Sequence, residues 1–337
     1  MRSGCNEKAT PMKPQATKID FTVAIPTYNG ERRLPEVLDR LLTQINTENI
    51  CWEIIVIDNN STDNTAKVVQ AYQENWPQNF PLRYIQEKKQ GAAFAREKAV
   101  EAAKSPLIGF LDDDNLPAPD WVASAYAFSE KYPQAGAYAS LVHPLYEVEP
   151  PENFDRIAPF LAITQRGPNP LRYEPHQKVL PPSAGLVVRK QAWLECVPSK
   201  LILTGRANGK MLTSEDLEVL SYIQRSAWEI WYNPAMQIGH KIPHWRLNKE
   251  YLIPFIRGIG LSRHVTRMLS VKTWQRPLAM LAYMANDIRK IIFHVLKYRT
   301  QIKTDLAAAC EMHLYLTSLM SPFFIWKKVY LDSQSQT

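Results

Sequence analysis

Four short apolar runs separated by three helical segments constrain this chain more than any other feature. The first, FTVAIPTYNG (Phe21–Gly30), is rich in β-branched residues and breaks at Pro26. It reads as a buried strand running into a loop. Leu34, Val37, Leu38, Leu41, Leu42 and Ile45 then follow helical spacing. WEIIVID (Trp52–Asp58) is a second buried strand. NNSTDNTAKVVQAY follows it, with Ser61 or Thr62 placed to cap a helix carrying Val68, Val69 and Tyr72. LRYIQ (Leu82–Gln86), an Ala-rich helix over Gly91–Lys104, and PLIGFLD (Pro106–Asp112) complete the alternation. Strands that are apolar on both faces and alternate with helices predict an α/β fold. Its sheet is mostly parallel and covered by helices on both sides.

Such sheets bind ligands just beyond the carboxyl ends of their strands. Tyr28-Asn29, Asp58-Asn59 and Asp112-Asp113-Asp114 all fall at such ends, so three polar clusters are expected to meet at one edge. No GxGxxG follows the first strand and no GxxxxGK[ST] is present. A dehydrogenase-type dinucleotide site and a P-loop are therefore disfavoured. The run GFLDDDN (Gly109–Asn115) raises an electrostatic question, because adjacent carboxylates oppose one another's ionisation. Solvation, partner cations or a metal would each relieve it. If the segment is extended, Asp112 and Asp114 face one way, and hard divalent ions bridge such carboxylates to substrate phosphates. By itself an Asp-rich turn is equally compatible with a solvated loop.

The full constellation is more specific. VAIPTYNGERRL, WEIIVIDNNSTDNT, KKQGAAFAREKAV, IGFLDDDNLPAPDW, PPSAGLVVRKQAW and SEDLEVLSYIQRSAWEIWYNPAMQIGH occur in this order between Asp20 and His244. Together they resemble glycosyltransferase family 2 on the GT-A fold. The resemblance implies transfer of a sugar from a nucleotide-diphosphate sugar, usually with inversion, in polysaccharide or glycoconjugate biosynthesis. It implies nucleotide contacts from Pro26 and Tyr28, base reading by Asp58, and a loop-helix element with Gly91 and Arg96 beside the nucleotide. It further implies that Asp112, Asp113 and Asp114 form the D-x-D. Asp114 and Asp112 would be ligands to Mg²⁺ or Mn²⁺, and His240 would lie near the metal or diphosphate. Where the family often has a second acid beside Asp58, this chain has Asn59. In TSEDLEV (Thr213–Val219), the resemblance makes Asp216 the general base, with Glu215 its neighbour. Removing the proton of an acceptor hydroxyl needs such a group. A charged helix start favoured by the helix dipole is the plainer account of the same residues. Two other classes stay open: a non-catalytic nucleotide-sugar-binding subunit and a basic nucleic-acid-binding protein. The second lacks any recognisable binding motif, so no nucleic-acid partner is expected.

The 337 residues carry a net charge of +7, unevenly spread. From Lys241 onward 15 Lys and Arg face 5 Asp and Glu, whereas the preceding 240 residues hold 25 against 28. Three regions are expected: a flexible segment over 1–17, a catalytic domain over 18–246, and a basic helical extension over 247–332. LYLTSLMSPFFIW (Leu314–Trp326) is apolar for only 13 residues, short of the roughly 20 that span a bilayer. Basic amphipathic helices suit the surface of an anionic membrane and a saccharide or lipid-linked acceptor. A helical cap or a dimer interface would use the same pattern. The first twenty residues hold Arg2, Glu7, Lys8 and Lys13 and no apolar block, so no signal peptide is expected. Four scattered cysteines suggest reduced thiols. A cytoplasmic protein, peripheral on the inner face of the membrane, is the resulting expectation.

Overall fold

The computed structural model describes residues 18–177, 179–206 and 211–334. The segment 1–17, expected to be flexible, lies outside the described residues. The alternation appears in order: β1 (Phe21–Thr27), α1 (Leu34–Leu42), β2 (Trp52–Asp58), α2 (Thr65–Glu74), β3 (Leu82–Gln86), α3 (Ala92–Ala102) and β4 (Leu107–Phe110). Then come β5 (Asn115–Pro117), α4 (Trp121–Lys131), β6 (Ala135–Tyr146), β7 (Leu171–Arg172), β8 (Leu186–Arg189), α5 (Lys190–Cys196), α6 (Glu215–Gln224) and β9 (Glu229–Ile242). Three helices, α7 (Lys249–Leu269), α8 (Arg276–Tyr298) and α9 (Leu306–Gln334), close the chain.

Among the described residues one sheet runs β3-β2-β1-β4-β8-β6-β9-β5, with β7 also on β9. The first four strands pair in parallel. Beyond β4 the sheet is mixed: β8 runs antiparallel to both neighbours, and β6 and β9 are parallel to each other. Alternate side chains of a strand point to opposite faces, and the core divides accordingly. Phe21, Val23 and Ile25 of β1 pack with Trp52, Ile54 and Val56 of β2 beneath α1, α2 and α4. Ala24, Ile55 and Ile57 face α3, α5 and α6 on the other side. Each fully buried aliphatic side chain here stabilises by about 1.5–3 kcal/mol.

The α2 cap differs from expectation. The helix begins at Thr65, so neither Ser61 nor Thr62 caps it. Asp63 does comparable work from just outside, accepting from the Thr65 backbone N–H at 3.0 Å and from the Glu31 N–H at 3.1 Å. Ser61 Oγ instead accepts from the Asn29 N–H at 2.9 Å. These bonds join the loops after β1 and β2, and that junction is long-range and not visible from local capping rules.

The last helices are not a separate appendage. Leu252, Phe255 and Ile256 of α7 and Ala307, Cys310 and Leu314 of α9 share a core with Phe154, Ile157, Leu161 and Ile242. Gly258 lets α7 approach the chain before α6: a Cβ there would lie 1.7 Å from the Met211 carbonyl oxygen. Cutting the chain near Leu247 would therefore remove part of the core and not merely a surface element.

Candidate active site

The carboxyl ends of β1, β2 and β4 open onto a cleft of about 1640 Å³. Pro26 and Tyr28 line it from the loop after β1, and Tyr28 is 44% exposed. Asn59 lines the cleft after β2, whereas Asp58 is buried with both carboxylate oxygens engaged. One accepts from the Tyr84 hydroxyl at 2.5 Å and the other from the Ser61 N–H at 2.9 Å. The residue expected to read the base thus holds the loop, and its neighbour faces the cleft. Gly91 stands at φ +144° at the start of α3, its N–H bonded to Asn59 Oδ1 at 2.7 Å. A Cβ at that position would come within 2.6 Å of the Thr204 carbonyl oxygen. Gly91 is thus a packing residue between the Asn59 loop and Thr204, while Gln90 and Ala92 line the cleft beside it.

The three adjacent aspartates are not extended. The Asn115 N–H closes a turn onto the Asp112 carbonyl at 2.9 Å, so alternation does not put Asp112 and Asp114 on one side. The carboxylates instead diverge, each toward its own arginine. Asp113 grips Arg33 in a fork, at 2.7 Å to Nε and 2.9 Å to Nη2, and also accepts from Thr27 Oγ1 at 2.6 Å. Asp114 pairs with Arg246 at 2.8 Å. Asp112 stays a third exposed and lies 3.3 Å from Arg96. Partner cations thus offset the repulsion, and burial decides the remainder. Burial pushes the Asp113 carboxyl above the usual carboxylate range despite Arg33. Burial acts on Asp114 too, but His240, Arg246 and Arg33 together hold its carboxyl below that range.

His240 comes from β9, which pairs with β5 so that His240 lies opposite Asn115. It is buried, and burial lowers its pKa, so it is neutral near pH 7. Its Nε2 faces Arg246 Nη1 at 3.1 Å and its Nδ1 faces Asn115 Nδ2 at 3.1 Å. Both ring nitrogens face nitrogen donors, so the neutral ring accepts from only one of Arg246 and Asn115.

The opposite wall begins at α6. Ser214 enters it at φ +76°, and Glu215 and Asp216 form its first turn, where the helix dipole favours anions. The two acids differ sharply. Glu215 is buried against Arg96 at 2.5 Å, and burial raises its pKa against the pull of that guanidinium. Asp216 is half-buried and lines the cleft. Its Oδ2 accepts from the Ser183 N–H at 2.9 Å and its Oδ1 from the Leu217 N–H at 2.8 Å. Arg96 spans both walls, reaching Glu215, Asp112 and the Ser183 hydroxyl, the last at 2.7 Å.

The donor set fits a hard divalent ion on a diphosphate. Such ions take one or two carboxylates and complete their shell with phosphates and water; Asp112, a third exposed, supplies one, and Asp114 would have to share itself with Arg246. Among the described residues no group of three His, Cys, Asp or Glu side chains converges into a self-sufficient metal cage. His240 engages Arg246 and Asn115. Burial leaves Arg246 Nε and Arg96 Nε without a hydrogen-bond partner.

Ser183, Arg33 and Arg246 went unnoticed in sequence. Arg33 and Ser183 lie inside quoted motifs, but nothing local signals their partners. Arg246 sits where the motifs end, and its only sequence cue is its place six residues after His240.

Comparison with known proteins agrees with this architecture. Residues 22–192 match the family model described as Glycosyl transferase family 2. Validoxylamine A glucosyltransferase of Streptomyces hygroscopicus subsp. limoneus is 33% identical over 125 residues, covering 36% of this chain and 26% of that protein. Chondroitin synthase of Pasteurella multocida is 30% identical over 120 residues, or 35% of this chain and 12% of that protein. The chain therefore matches about a quarter of the length of the first of these relatives and about an eighth of the second. Among solved structures, the mannosyltransferase PcManGT of Pyrobaculum calidifontis with GDP-Man and Mn²⁺ superimposes at TM-score 0.56 and 17% identity, covering 93% of this chain and 91% of that one. S. aureus TarS 1-349 with UDP-GlcNAc gives 0.52 at 16% identity, covering 90% and 91%. These two likenesses concern the fold. The family model covers half of the chain and takes in the β1 loop, the aspartate turn and Ser183, and by that match the protein belongs to glycosyl transferase family 2.

Proposed function

We propose that this protein transfers a sugar from a nucleoside diphosphate sugar to an acceptor hydroxyl, with inversion at the anomeric carbon, in polysaccharide or glycoconjugate assembly. The observation that carries this reading is the Arg96 bridge. One buried guanidinium contacts the aspartate turn through Asp112 and the first turn of α6 through Glu215. It thereby sets a cluster suited to a diphosphate against an acid suited to proton removal. Pro26, Tyr28 and Asn59 supply the surface for the nucleoside.

In the transfer, the acceptor oxygen bonds to the anomeric carbon as the bond from that carbon to the β-phosphate oxygen breaks. Asp216 takes the acceptor proton, and the nucleoside diphosphate leaves with the bonding pair. Ser183 and Leu217 N–H groups hold the Asp216 carboxylate in place, and Glu215 is committed to Arg96. That division makes Asp216 the base and Glu215 its positioning neighbour. Arg246 and Arg96 offer donors to the departing diphosphate. Mg²⁺ or Mn²⁺, held by Asp112 and Asp114, would neutralise part of that charge.

The test is binding and hydrolysis of UDP- and GDP-sugars by the full chain, with and without EDTA. Chelation is expected to remove turnover, and Asp114→Asn to reduce it strongly while the chain stays folded. Full turnover in EDTA would eliminate the metal, and failure of every nucleotide sugar to bind would sink the whole reading.

Membrane attachment rests on α8, which is inverted relative to an ordinary surface helix. Its buried residues are Asp287 and His294. Leu278, Leu281, Ile288, Ile292 and Leu296 share the opposite stripe at helical spacing and are all exposed. Arg289 and Lys297 lie alongside, and α9 adds exposed Leu316, Met320 and Phe323. No helix among the described residues is long and apolar enough to cross a membrane. An interfacial position buries the stripe and places the cations near anionic headgroups, at about 1 kcal/mol each. The full chain is expected to float with anionic vesicles at low salt and to release as salt rises. Leu281→Glu with Ile292→Glu should weaken flotation by at least about tenfold, since each buried aliphatic side chain is worth about 1.5–3 kcal/mol. A full chain that stays unbound at low salt would leave the stripe to a second copy.

A further inference from the structure

The cleft continues past α6 along α7 and α8, and three cations gather on that wall. Arg267 reaches both carboxylate oxygens of Asp287, at 2.5 and 2.8 Å. That engages Asp287, the only carboxylate in the cluster among the described residues. Arg263, one turn earlier on α7, forms no ion pair among the described residues. Its hydrogen-bond contact is the Ser318 hydroxyl at 3.4 Å. Lys290, one turn after Asp287 on α8, lies over the Tyr315 ring at 5.6 Å and likewise has no carboxylate partner among the described residues. All three cations line the cleft. Ser262, beside Arg263, donates to the Thr213 carbonyl at 2.6 Å, three residues before Asp216. The cationic wall is thus fastened to the start of the base helix.

Three cations sharing one carboxylate in a half-buried wall are costly to hold without an anion. Burial and the neighbouring Arg267 depress the Arg263 guanidinium to about 10, a direction that a bound anion would reverse. The cleft volume also exceeds the roughly 300–1,000 Å³ of an ordinary small-ligand site, which leaves room beside a nucleotide sugar.

We propose that Arg263, Lys290 and Arg267 form a second anion site, which holds a phosphate group carried by the acceptor. The assignment rests on the sugar-transfer reading for the word acceptor, but the anion site itself does not. A phosphate there comes from a lipid-linked acceptor or from a soluble phosphorylated saccharide, and both present the same tetrahedral anion. Arg267 stays held by Asp287, so Arg263 and Lys290 are the cations with uncommitted charge.

The experiment is calorimetric titration of the full chain with its nucleotide site first filled by UDP or GDP and Mn²⁺. Three probes are compared: inorganic phosphate, monomeric decyl phosphate and neutral decyl maltoside. Both phosphates are expected to bind and the neutral probe not to. Arg263→Gln with Lys290→Met should weaken phosphate binding roughly tenfold or more, as expected for loss of charge-assisted bonds, with nucleotide affinity unchanged. Lys290→Met alone, at a half-exposed position, gives a smaller loss without disturbing the buried arginine. Tighter binding of decyl phosphate assigns the lipid-linked source, and equal binding assigns the soluble one. Unchanged phosphate affinity in the double variant, or no phosphate binding by the native chain, overturns the site. Phosphate binding without any nucleotide binding would remove the sugar-transfer reading and leave the anion site standing.

Discussion

Asp216→Asn is expected to lower sugar transfer by about 10²–10⁴-fold, the usual contribution of a positioned general base, while the donor still binds. The reason is geometric. Asp216 lies on the α6 wall, and the substitution removes no group from the aspartate turn. Asparagine keeps one oxygen, enough for one of the two N–H donors of Ser183 and Leu217, so the first turn of α6 should persist with one bond fewer. Its amide has no useful basicity, so only the step that takes the acceptor proton is lost. Transfer rates with saturating donor and isothermal titration with the nucleotide separate the two effects. A near-normal rate would move the role away from Asp216. Glu215 is a poor substitute, because reaching an acceptor would require breaking its 2.5 Å pair with Arg96.

Arg96→Met should cost both stability and activity. Arg96 is 7% exposed and pairs with the buried Glu215. Removing one member of a buried ion pair strands the other charge, at about 3–5 kcal/mol. The variant should melt several degrees lower and lose most of its turnover, because the aspartate turn and α6 would no longer be held together. Arg96→Met with Glu215→Gln should recover much of the melting temperature, since the stranded charge is gone, but not the activity. If the single variant melts like the native protein, the bridge is not a structural tie. Equal activity would further detach Arg96 from the site.

Much of this was legible along the chain. The strands Trp52–Asp58 and Leu82–Gln86 appear with the expected limits; the first is an apolar run buried on both faces, whereas the second, at the sheet edge, is buried only at Leu82. Asp216 and the aspartate run were visible as local acidic motifs. The conformation of that run was not. Alternation along an extended segment predicted paired Asp112 and Asp114, whereas the chain turns and sends the carboxylates to Arg96, Arg33 and Arg246. Those partners are 16, 80 and 132 residues away in sequence. No local pattern encodes such distances.

The last helices show the same limit from the other side. Their basic and apolar composition was readable, and so was the shortfall in length for a membrane span. Which face each helix turned inward was not, because α8 buries Asp287 and His294, the kinds of residue a hydrophobicity pattern assigns to solvent. Arg267 and the Ala308 carbonyl reward that choice with an ion pair and a 2.9 Å contact to His294 Nε2. Sequence alone determined the first four strands with the helices between them, their parallel pairing and the edge where their carboxyl ends meet, since hydrophobic periodicity is local and short-range. The tertiary structure decided which charges meet, because an ion pair or a cleft wall is made by segments that only folding brings within a few ångströms of each other.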